Sequence, residues 1–321
     1  MNPNDQRRWK DQVLEFALAA FAAHEPLRSA LIFKGARLLN LRLGDTGSRE
    51  SFDLDSNLDM HCASAHPDTA ARRGFLERES ELALRRLIAR QDPARFSFKS
   101  VKVEVKPPRD DHPFNWTGFT VKIGLLDNAN PAAQNTPAVE IDIAAPEVLG
   151  EGVISALRLR DGLTVQAYTL ERIAGEKLRA YLTSLPAYRT KVGRRPDTPR
   201  FKDLYDLARI RRRYAIADNA FWRTAGREFH LACESRFVDC AGIATFGEDL
   251  DTSRQQYETE PTLPKDIPFN EAWAAVQAAV DLFTGLGILP FAFPIPEGRF
   301  QPRYRPESPG LHKESADRGT P

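Results

Sequence analysis

Cysteine, long apolar segments and an excess of charge of either sign are all scarce in this 321-residue chain. The three cysteines, Cys62, Cys233 and Cys240, are too few and too scattered for a disulfide framework or a zinc site, and they favour free thiols in a reducing cytosol. No run approaches the roughly 18 apolar residues of a membrane helix, and the first residues carry no apolar core of the signal-peptide type. We therefore expect a cytoplasmic protein that makes no membrane contact.

Charge is nearly balanced, with 45 Lys and Arg against 44 Asp and Glu and a formal net charge of +1. A protein held to nucleic acid by its overall electrostatic field would be more basic, so any contact with RNA needs a local basic surface. Apolar residues make up 42% of the chain and charged residues 28%, which is ordinary for a globular protein. The length allows one large core or two modest ones.

Paired aspartates follow a short apolar run and a glycine turn. Residues 31–33 predict a buried strand, Gly35 opens a leucine-rich helix, and residues 51–55 alternate as a second strand does. Asp53 and Asp55 would project from one face of that strand, about 7 Å apart. Two such carboxylates are half of a site for Mg²⁺, and the free N–H groups at the start of the helix suit phosphate oxygens. The combination indicates metal-assisted phosphoryl or nucleotidyl transfer.

Strict alternation of polar and apolar residues predicts three further strands, at residues 96–105, 119–125 and 138–143. Glu140 and Asp142 share one face of the last strand. The three strands at residues 96–105, 119–125 and 138–143, together with the two earlier strands, predict a mixed sheet of about five strands in an α+β fold.

Beyond Pro146 the pattern becomes helical, with amphipathic helices predicted at 168–182, 200–214, 219–233 and 269–286. We expect residues 1–150 to form a catalytic core and residues 151–289 a helical C-terminal domain. Residues 290–321 are rich in Pro and charge, and are predicted to be a disordered tail.

Three motifs in this order resemble those of the AbiEii/AbiGii-type nucleotidyltransferases, the toxin components of type IV toxin–antitoxin systems in the DNA polymerase β-like superfamily. They are Lys34-Gly35 with Arg49-x-Ser51-x-Asp53-Leu54-Asp55, then Glu176-Lys177-Leu178, then Arg200-x-Lys202-Asp203-Leu204-Tyr205-Asp206-Leu207. The resemblance covers roughly residues 30–214. The chain departs from the family pattern at Ala36, where a second Gly is usual, and at Arg37, where a small hydroxyl residue is usual.

The resemblance implies a nucleotidyltransferase fold and Mg²⁺-dependent transfer of a nucleoside monophosphate from an NTP. The implied metal ligands are Asp53, Asp55 and a third carboxylate on a later strand, either Asp142, which we prefer, or Glu140. The implied catalytic residues are Asp53, Asp55, Lys177 and Asp203, with Asp206 on the same helix. The implied nucleotide-binding residues are Lys34, Gly35, Arg37, Ser51, Lys177 and Arg200.

The acceptor is predicted from a basic stretch, in which residues 189–213 carry ten Lys and Arg against three Asp. The rings of Tyr188 and Tyr214 could stack on bases, and a tRNA 3′ end is the acceptor that the resemblance favours. Alternatively, the stretch is a flexible loop and a helix end whose arginines complement the helix dipole.

The resemblance also implies a cognate antitoxin partner and a role in phage defence. Two other functions stay open. Ala36 and Arg37 favour a catalytically weakened, nucleotide-binding regulatory module, and a protein side chain could replace RNA as the acceptor.

Overall fold

The computed structural model describes residues 2–44, 51–107, 116–130, 136–194 and 198–297. Strands in these ranges are β1 (Leu31–Lys34), β2 (Leu54–Leu58), β3 (Phe96–Lys106), β4 (Gly118–Asp127), β5 (Val139–Ala144), β6 (Ile154–Arg158) and β7 (Thr164–Tyr168). The helices of the N-terminal half are α1 (Pro3–Ala23), α2 (Glu25–Ala30), α3 (Gly35–Leu43), α4 (Met60–Ala65) and α5 (Thr69–Ala89). Those of the C-terminal half are α6 (Leu170–Ser184), α7 (Pro186–Lys191), α8 (Lys202–Arg213), α9 (Asn219–Glu234), α10 (Ile243–Phe246), α11 (Leu250–Thr259) and α12 (Phe269–Gly285).

All seven strands form one mixed sheet in the order β3-β4-β5-β2-β1-β7-β6. Strand β4 runs antiparallel to both β3 and β5, β5 is parallel to β2, and β1 is antiparallel to β2 but parallel to β7. This confirms the predicted α+β class and the mixed sheet. It also brings β1, β2 and β5, which carry the motif residues and the later carboxylates, side by side at the centre.

The sheet has two more strands than predicted, because β6 and β7 lie where the pattern beyond Pro146 indicated helix. Each is only five residues long, and a segment so short cannot separate the strand period from the helix period. Gly162, with a φ of 85°, lies in the turn between them. The helical part therefore begins after Tyr168, at α6, rather than at residue 151.

The two faces of the sheet serve different purposes. On one face, apolar side chains such as Leu31, Phe33 and Leu54 join a buried cluster with α1, α2 and α5. On the other face, Ile32 and Tyr168 belong to the core of the C-terminal helices. Because side chains alternate along a strand, the polar residues between the buried ones on β1 and β2 share this second face.

The predicted C-terminal helices are confirmed as α6, α8, α9 and α12. Phe291 and Phe293, in the segment predicted to begin the tail, are packed instead: the backbone N–H of Phe291 donates to the Cys240 carbonyl at 3.0 Å, and that of Phe293 donates to Asp239 Oδ1 at 2.7 Å. Their rings provide the apolar area that a disordered segment lacks. The rest of the predicted tail, 298–321, lies outside the described residues. No helix in the described ranges is long and apolar enough to cross a membrane.

Candidate active site

A row of polar residues crosses the centre of the sheet. Lys34 on β1 is the register partner of Asp55 on β2, Asp55 is the partner of Asp142 on β5, and Asp142 is the partner of Thr120 on β4. Partners across a ladder point to the same face, and neighbouring strands lie about 4.8 Å apart. Four side chains from distant segments therefore meet on the face that looks toward the C-terminal helices.

Asp55 is the desolvated carboxylate of this row. Burial raises the pKa of its carboxyl; the Lys34 ammonium opposes the rise, and the negative charges of Asp53 and Asp142 add to it. Gly35 explains how the carboxylate fits, since a Cβ at Gly35 would overlap Asp55 Oδ2. Gly35 also has a φ of +84°, a backbone conformation that favours glycine. Both constraints make Gly35 a requirement of the Asp55 position.

Asp53 precedes β2 rather than lying within it, because the strand begins at Leu54. Its side chain is 77% exposed, and Lys10 of α1 donates to its Oδ1 at 3.2 Å. Phe52, which strand alternation would place on the face opposite Asp53 and Asp55, is only half-buried. The alternation that predicted a strand over residues 51–55 therefore holds only from Leu54 onward.

Asp142 and Glu140 differ in their relation to Asp55. Asp142 is the direct partner of Asp55, and its Oδ1 accepts hydrogen bonds from Thr120 Oγ1 at 2.8 Å and Lys106 Nζ at 2.9 Å. Glu140 lies two residues earlier on β5, where its Oε1 is 3.5 Å from Lys122 Nζ. The register thus places Asp142 nearer to Asp55 than Glu140.

The carboxylates are not preassembled into a metal cage. Among the described residues, no group of three or more His, Cys, Asp or Glu side chains is placed to hold a metal ion. Two observations nevertheless fit a divalent cation. The ionised carboxylate of Asp55, desolvated and close to two other acidic groups, would be stabilised by added positive charge. Asp53 and Asp142 each already bind a lysine ammonium. Oxygen-only ligands suit Mg²⁺.

Lys177 lies on α6 facing α8. Its buried Nζ donates to Asp203 Oδ1 at 2.9 Å and to Asp206 Oδ2 at 2.6 Å. Burial alone would raise the pKa of Asp203, but the charges of Arg200 and Lys177 outweigh burial and hold that pKa well below its usual range. Arg200 Nε donates to Asp203 Oδ2 at 2.8 Å, while 60% of the Arg200 side chain stays exposed. The two later motifs therefore form one ion-pair cluster.

That cluster faces the sheet row. Arg200 is close enough to lower the pKa of Asp55, against the effect of burial. Lys34 Nζ donates to Glu176 Oε2 at 3.3 Å, and Glu176 is the neighbour of Lys177 on α6. The predicted residues on β1, β2, α6 and α8 are thus brought to the two walls of one cleft.

Arg37 and Ser51 lie on another side of this arrangement. Arg37 Nη2 donates to Asp11 Oδ1 at 2.5 Å and to the Ser51 carbonyl at 3.0 Å. The guanidinium therefore ties α3 to α1 and to the approach to β2. Arg49 of the first motif lies outside the described residues.

Comparison with known proteins bears directly on this cleft. The family model described as "Nucleotidyl transferase AbiEii toxin, Type IV TA system" matches residues 17–285, which is most of the chain. The chain belongs to this family. It is a nucleotidyltransferase, and membership implies an NTP substrate and an antitoxin partner. This confirms the resemblance inferred from the three motifs.

Among solved structures, the nucleotidyltransferase toxin MenT4 from Mycobacterium tuberculosis H37Rv is similar to this AbiEii-family chain with a TM-score of 0.42 at 16% sequence identity. The alignment covers 88% of this chain and 90% of MenT4. No curated protein matches the sequence.

Sequence reasoning missed a buried charge network behind the cleft of this AbiEii-family chain. Arg172 on α6 has a fully buried side chain and forms ion pairs with Glu147 at 2.9 Å, Glu176 at 3.1 Å and Glu228 at 3.1 Å. Glu147 also lies 3.8 Å from Lys34 Nζ. Only the spacing of Arg172 and Glu176, four residues apart on one helix, was a signal in the sequence.

Five of the ten basic residues in the predicted surface over residues 189–213 form ion pairs within the described part of the chain, and one of these is the Arg200–Asp203 pair given above. Lys191 pairs with Asp239, Lys202 with Glu260, Arg209 with Asp206, and Arg212 with Asp266 and Glu271. Arg195 lies outside the described residues.

The two rings predicted to stack on bases are engaged as well. Tyr214 stacks on Phe221 with ring centroids 4.2 Å apart, and Tyr188 donates its hydroxyl to the Arg236 carbonyl at 2.9 Å. Both rings are half-buried against the helical core, and stacking on bases stays a prediction.

Proposed function

We propose that this protein is a Mg²⁺-dependent nucleotidyltransferase that moves a nucleoside monophosphate from an NTP to an acceptor hydroxyl. One observation carries the proposal: the carboxylates of Asp55 and Asp142 are register partners on one wall of a cleft, opposite the Lys177–Asp203 ion pair and Arg200. In this reaction the acceptor oxygen forms a bond to the α-phosphorus, the bond from that phosphorus to pyrophosphate breaks, and the acceptor proton leaves to solvent.

Asp53, Asp55 and Asp142 would hold the metal. Asp142 is preferred to Glu140 as the third ligand, because it is the register partner of Asp55. Bound Mg²⁺ would supply positive charge to the triphosphate and make the α-phosphorus more electrophilic. Lys10 and Lys106 now neutralise two of these carboxylates, so each lysine has to give way to the cation.

The nucleotide phosphates would meet the opposite wall and the start of α3. The Lys177 ammonium has three N–H donors, and Asp203 and Asp206 accept two of them, so one remains for a phosphate oxygen. Arg200 is held by Asp203 with most of its side chain exposed, and it suits the leaving pyrophosphate. Catalytic roles therefore fall to Asp53, Asp55, Lys177 and Asp203.

The remaining proposed nucleotide contacts are at Lys34, Gly35, Arg37 and Ser51. Gly35 begins α3, whose first backbone N–H groups have no partner within the helix and suit a phosphate. Arg37 would have to leave Asp11 to contact a phosphate, and this ion pair is the observation that favours the alternative of a weakened, nucleotide-binding regulatory module.

We further propose a tRNA 3′ end as the acceptor, and restraint of growth during phage infection as the role of the toxin with its antitoxin. Family membership supports this proposal. A protein side chain is the competing acceptor, and the experiment below separates the two.

The test incubates the full-length protein with Mg²⁺, each of the four α-labelled NTPs in turn, and total tRNA, and then separates RNA from protein. Label should enter the RNA fraction, and Asp53→Asn, Asp55→Asn and Asp142→Asn should each lower transfer by at least about 100-fold, the scale of losing one preorganised charge-stabilising group. Glu140→Gln, on the same face of the same strand, is the matched control and should keep transfer near the wild-type rate.

Three results would count against the proposal. Label on protein alone would move the acceptor to a side chain. Wild-type turnover in a folded Asp55→Asn variant would make the carboxylate row structural. Binding of NTP without any transfer would favour the regulatory module.

A further inference from the structure

A cavity of about 1410 Å³ lies beside the cleft, and it shares Arg37 and Ser51 with the proposed nucleotide contacts but extends well beyond them. Its walls are α1 from Asn4 to Ala19, the helix α3, the segment Ser51–Phe52 and the turn after β6. Six arginines from these walls and from the approach to β3 line it, namely Arg7, Arg8, Arg37, Arg95, Arg158 and Arg160. Four separate segments thus contribute guanidinium groups to one space.

The charge of this arginine cavity is strongly unbalanced. Its acidic lining residues are Asp11, Glu15 and Asp161, so six positive charges face three negative ones in a chain whose net charge is only +1. Arg37 is paired with Asp11, and Arg95 is paired with Asp127 outside the lining. The cavity therefore attracts anions through its local charge.

Three of the six arginines are free to bind a ligand. Arg8, Arg158 and Arg160 are exposed, and within the described part of the chain their side chains form no ion pair or hydrogen bond. Because these guanidinium groups repel one another and have no acidic partner, a ligand that carries several negative charges makes the most favourable electrostatic interaction with them. A phosphodiester backbone is such a ligand, and arginine binds phosphate with two parallel hydrogen bonds.

Size and aromatic lining favour a polynucleotide strand over a compact anion. Ligand pockets for small molecules measure about 300–1000 Å³, and this cavity is larger. The half-buried ring of Phe52 lines it, and the Arg7 guanidinium lies 5.9 Å from the centre of that ring. Aromatic rings beside a basic groove are the usual means of binding single strands without reading their sequence.

Position connects the cavity to the carboxylates. Ser51 and Phe52 line it, and the next residue, Asp53, lines a second cavity of about 290 Å³ together with Asp142. On α1, Arg7 and Arg8 face the first cavity, whereas Lys10 faces the second. A strand bound along the arginines would have to pass the first half of α1 to bring its end to Asp53.

We propose that the arginine cavity binds the phosphodiester backbone of a polynucleotide acceptor and directs the end of the strand to the carboxylates of Asp53 and Asp142. The inference rests on the proposed nucleotidyl transfer for its purpose, but the binding itself can be measured separately. It assigns acceptor binding to these walls instead of the stretch at residues 189–213, where ion pairs hold Lys191, Arg200, Lys202, Arg209 and Arg212.

The experiment measures the affinity of the full-length protein for a short fluorescein-labelled single-stranded RNA by anisotropy, over a range of salt concentrations. The double variant Arg158→Gln/Arg160→Gln should bind about 10-fold more weakly or worse, and the slope of log affinity against log salt should fall by about one for each phosphate that is no longer neutralised. Arg8→Gln should act in the same direction. The matched control Arg194→Gln/Arg213→Gln removes two exposed arginines from the stretch at residues 189–213 and should bind as the wild type does.

Separate readouts distinguish the inference from the function on which it rests. NTP binding, measured as the rise in melting temperature with Mg²⁺ and NTP, should be unchanged in the Arg158/Arg160 variant. Asp55→Asn should bind RNA normally while its transfer activity falls by at least about 100-fold. Unchanged RNA affinity in the Arg158/Arg160 variant would overturn the inference, as would a loss of NTP binding in its place. If those arginines bind RNA but the wild type transfers no label, the proposed function fails and the RNA site stands.

Discussion

Asp55 combines burial with like charge, two conditions that disfavour an ionised carboxylate. Its pKa is raised above the ordinary value of 3.8, so the folded chain holds this proton more tightly than the unfolded chain does. The ionised group therefore lowers stability at neutral pH, and this cost disappears as pH falls from the folded pKa toward 3.8. A cation that binds at Asp55 would relieve this destabilisation, and the free energy recovered would add to its binding affinity.

The first prediction concerns this cost. Without divalent metal at pH 7, Asp55→Asn should be more stable to urea than the wild type, because it removes a desolvated charge, and the difference should shrink as pH falls toward 3.8. With Mg²⁺ added, the wild type should gain stability and the variant should not. Asp53→Asn is the control, since its exposed carboxylate should make little difference without metal.

A less stable Asp55→Asn variant at pH 7 would show that the carboxylate supports the fold rather than a cation. The measurement does not depend on turnover, so it separates a site built for metal from a structural acidic residue.

The residues of the candidate site were predictable from the sequence where they belong to a motif. Lys177 and Asp203, 26 positions apart, were both expected among the catalytic residues, and they form an ion pair. The environment of Lys34 was not predictable, because Glu147 lies in a loop without any motif. Motifs identify the chemically active residues, whereas the partners that hold them depend on chain paths that no local pattern records.

Among the elements, α6 and α9 pack with their backbones unusually close at Gly175. A Cβ added there would lie 2.6 Å from the Phe229 amide nitrogen and 2.9 Å from the Ala225 carbonyl oxygen. Backbone atoms cannot swing aside as a flexible side chain does, so the helices themselves would have to separate. Because α6 carries both Arg172 and Lys177, its position on α9 also sets the position of one wall of the cleft.

The second prediction follows from this close approach. Gly175→Ala should lower the free energy of unfolding by about 1–3 kcal/mol, the usual cost of overpacking, despite the better helix propensity of alanine. Gly74→Ala is the matched control, because Gly74 is an exposed position within α5 with nothing within 4 Å of an added Cβ. That change should stabilise by about 0.5–1 kcal/mol. Urea unfolding measures both, and equal effects at the two positions would mean that α6 and α9 can move apart freely.

At the level of elements, the long periodic segments were predictable and the short ones were not. The strands β3, β4 and β5 alternate clearly and were predicted close to their observed bounds. The hairpin of β6 and β7 was taken for helix, because its strands are short and gain their stability from pairing beside β1, which is more than a hundred residues away in the chain. Non-local pairing of this kind leaves little trace in a local period.

In the molecule as a whole, the sheet and the C-terminal helices share a core. Ile32 of β1 and Leu39 of α3 are buried among residues of the helices α6 to α12. Lys34 of β1 reaches Glu176 of α6, and Arg209 of α8 donates to Asn40 of α3 at 2.7 Å. Part of the hydrophobic core therefore belongs both to the predicted catalytic core and to the predicted helical domain. The division into these two domains describes where residues lie along the chain, and it does not separate two independent hydrophobic cores.

The third prediction is therefore a single unfolding transition. Far-UV circular dichroism, which reports helices, and tryptophan fluorescence should give coincident urea curves. Fluorescence reports both regions, since Trp9 packs on the sheet side and Trp222 in the helical core. Two separated transitions would show that the halves are energetically independent despite their shared core.

The network around Arg172 also limits how relatives of this chain can diverge. One guanidinium serves three glutamates that come from a loop, from its own helix and from α9, and it is fully buried. Loss of Arg172 would leave the buried Glu228 without an ion-pair partner in the described part of the chain, a change that typically costs about 3–5 kcal/mol, whereas replacing both residues with apolar ones can be neutral. Relatives that differ by single substitutions should therefore keep Arg172 and Glu228, and a lineage that has lost Arg172 should have lost Glu228 as well.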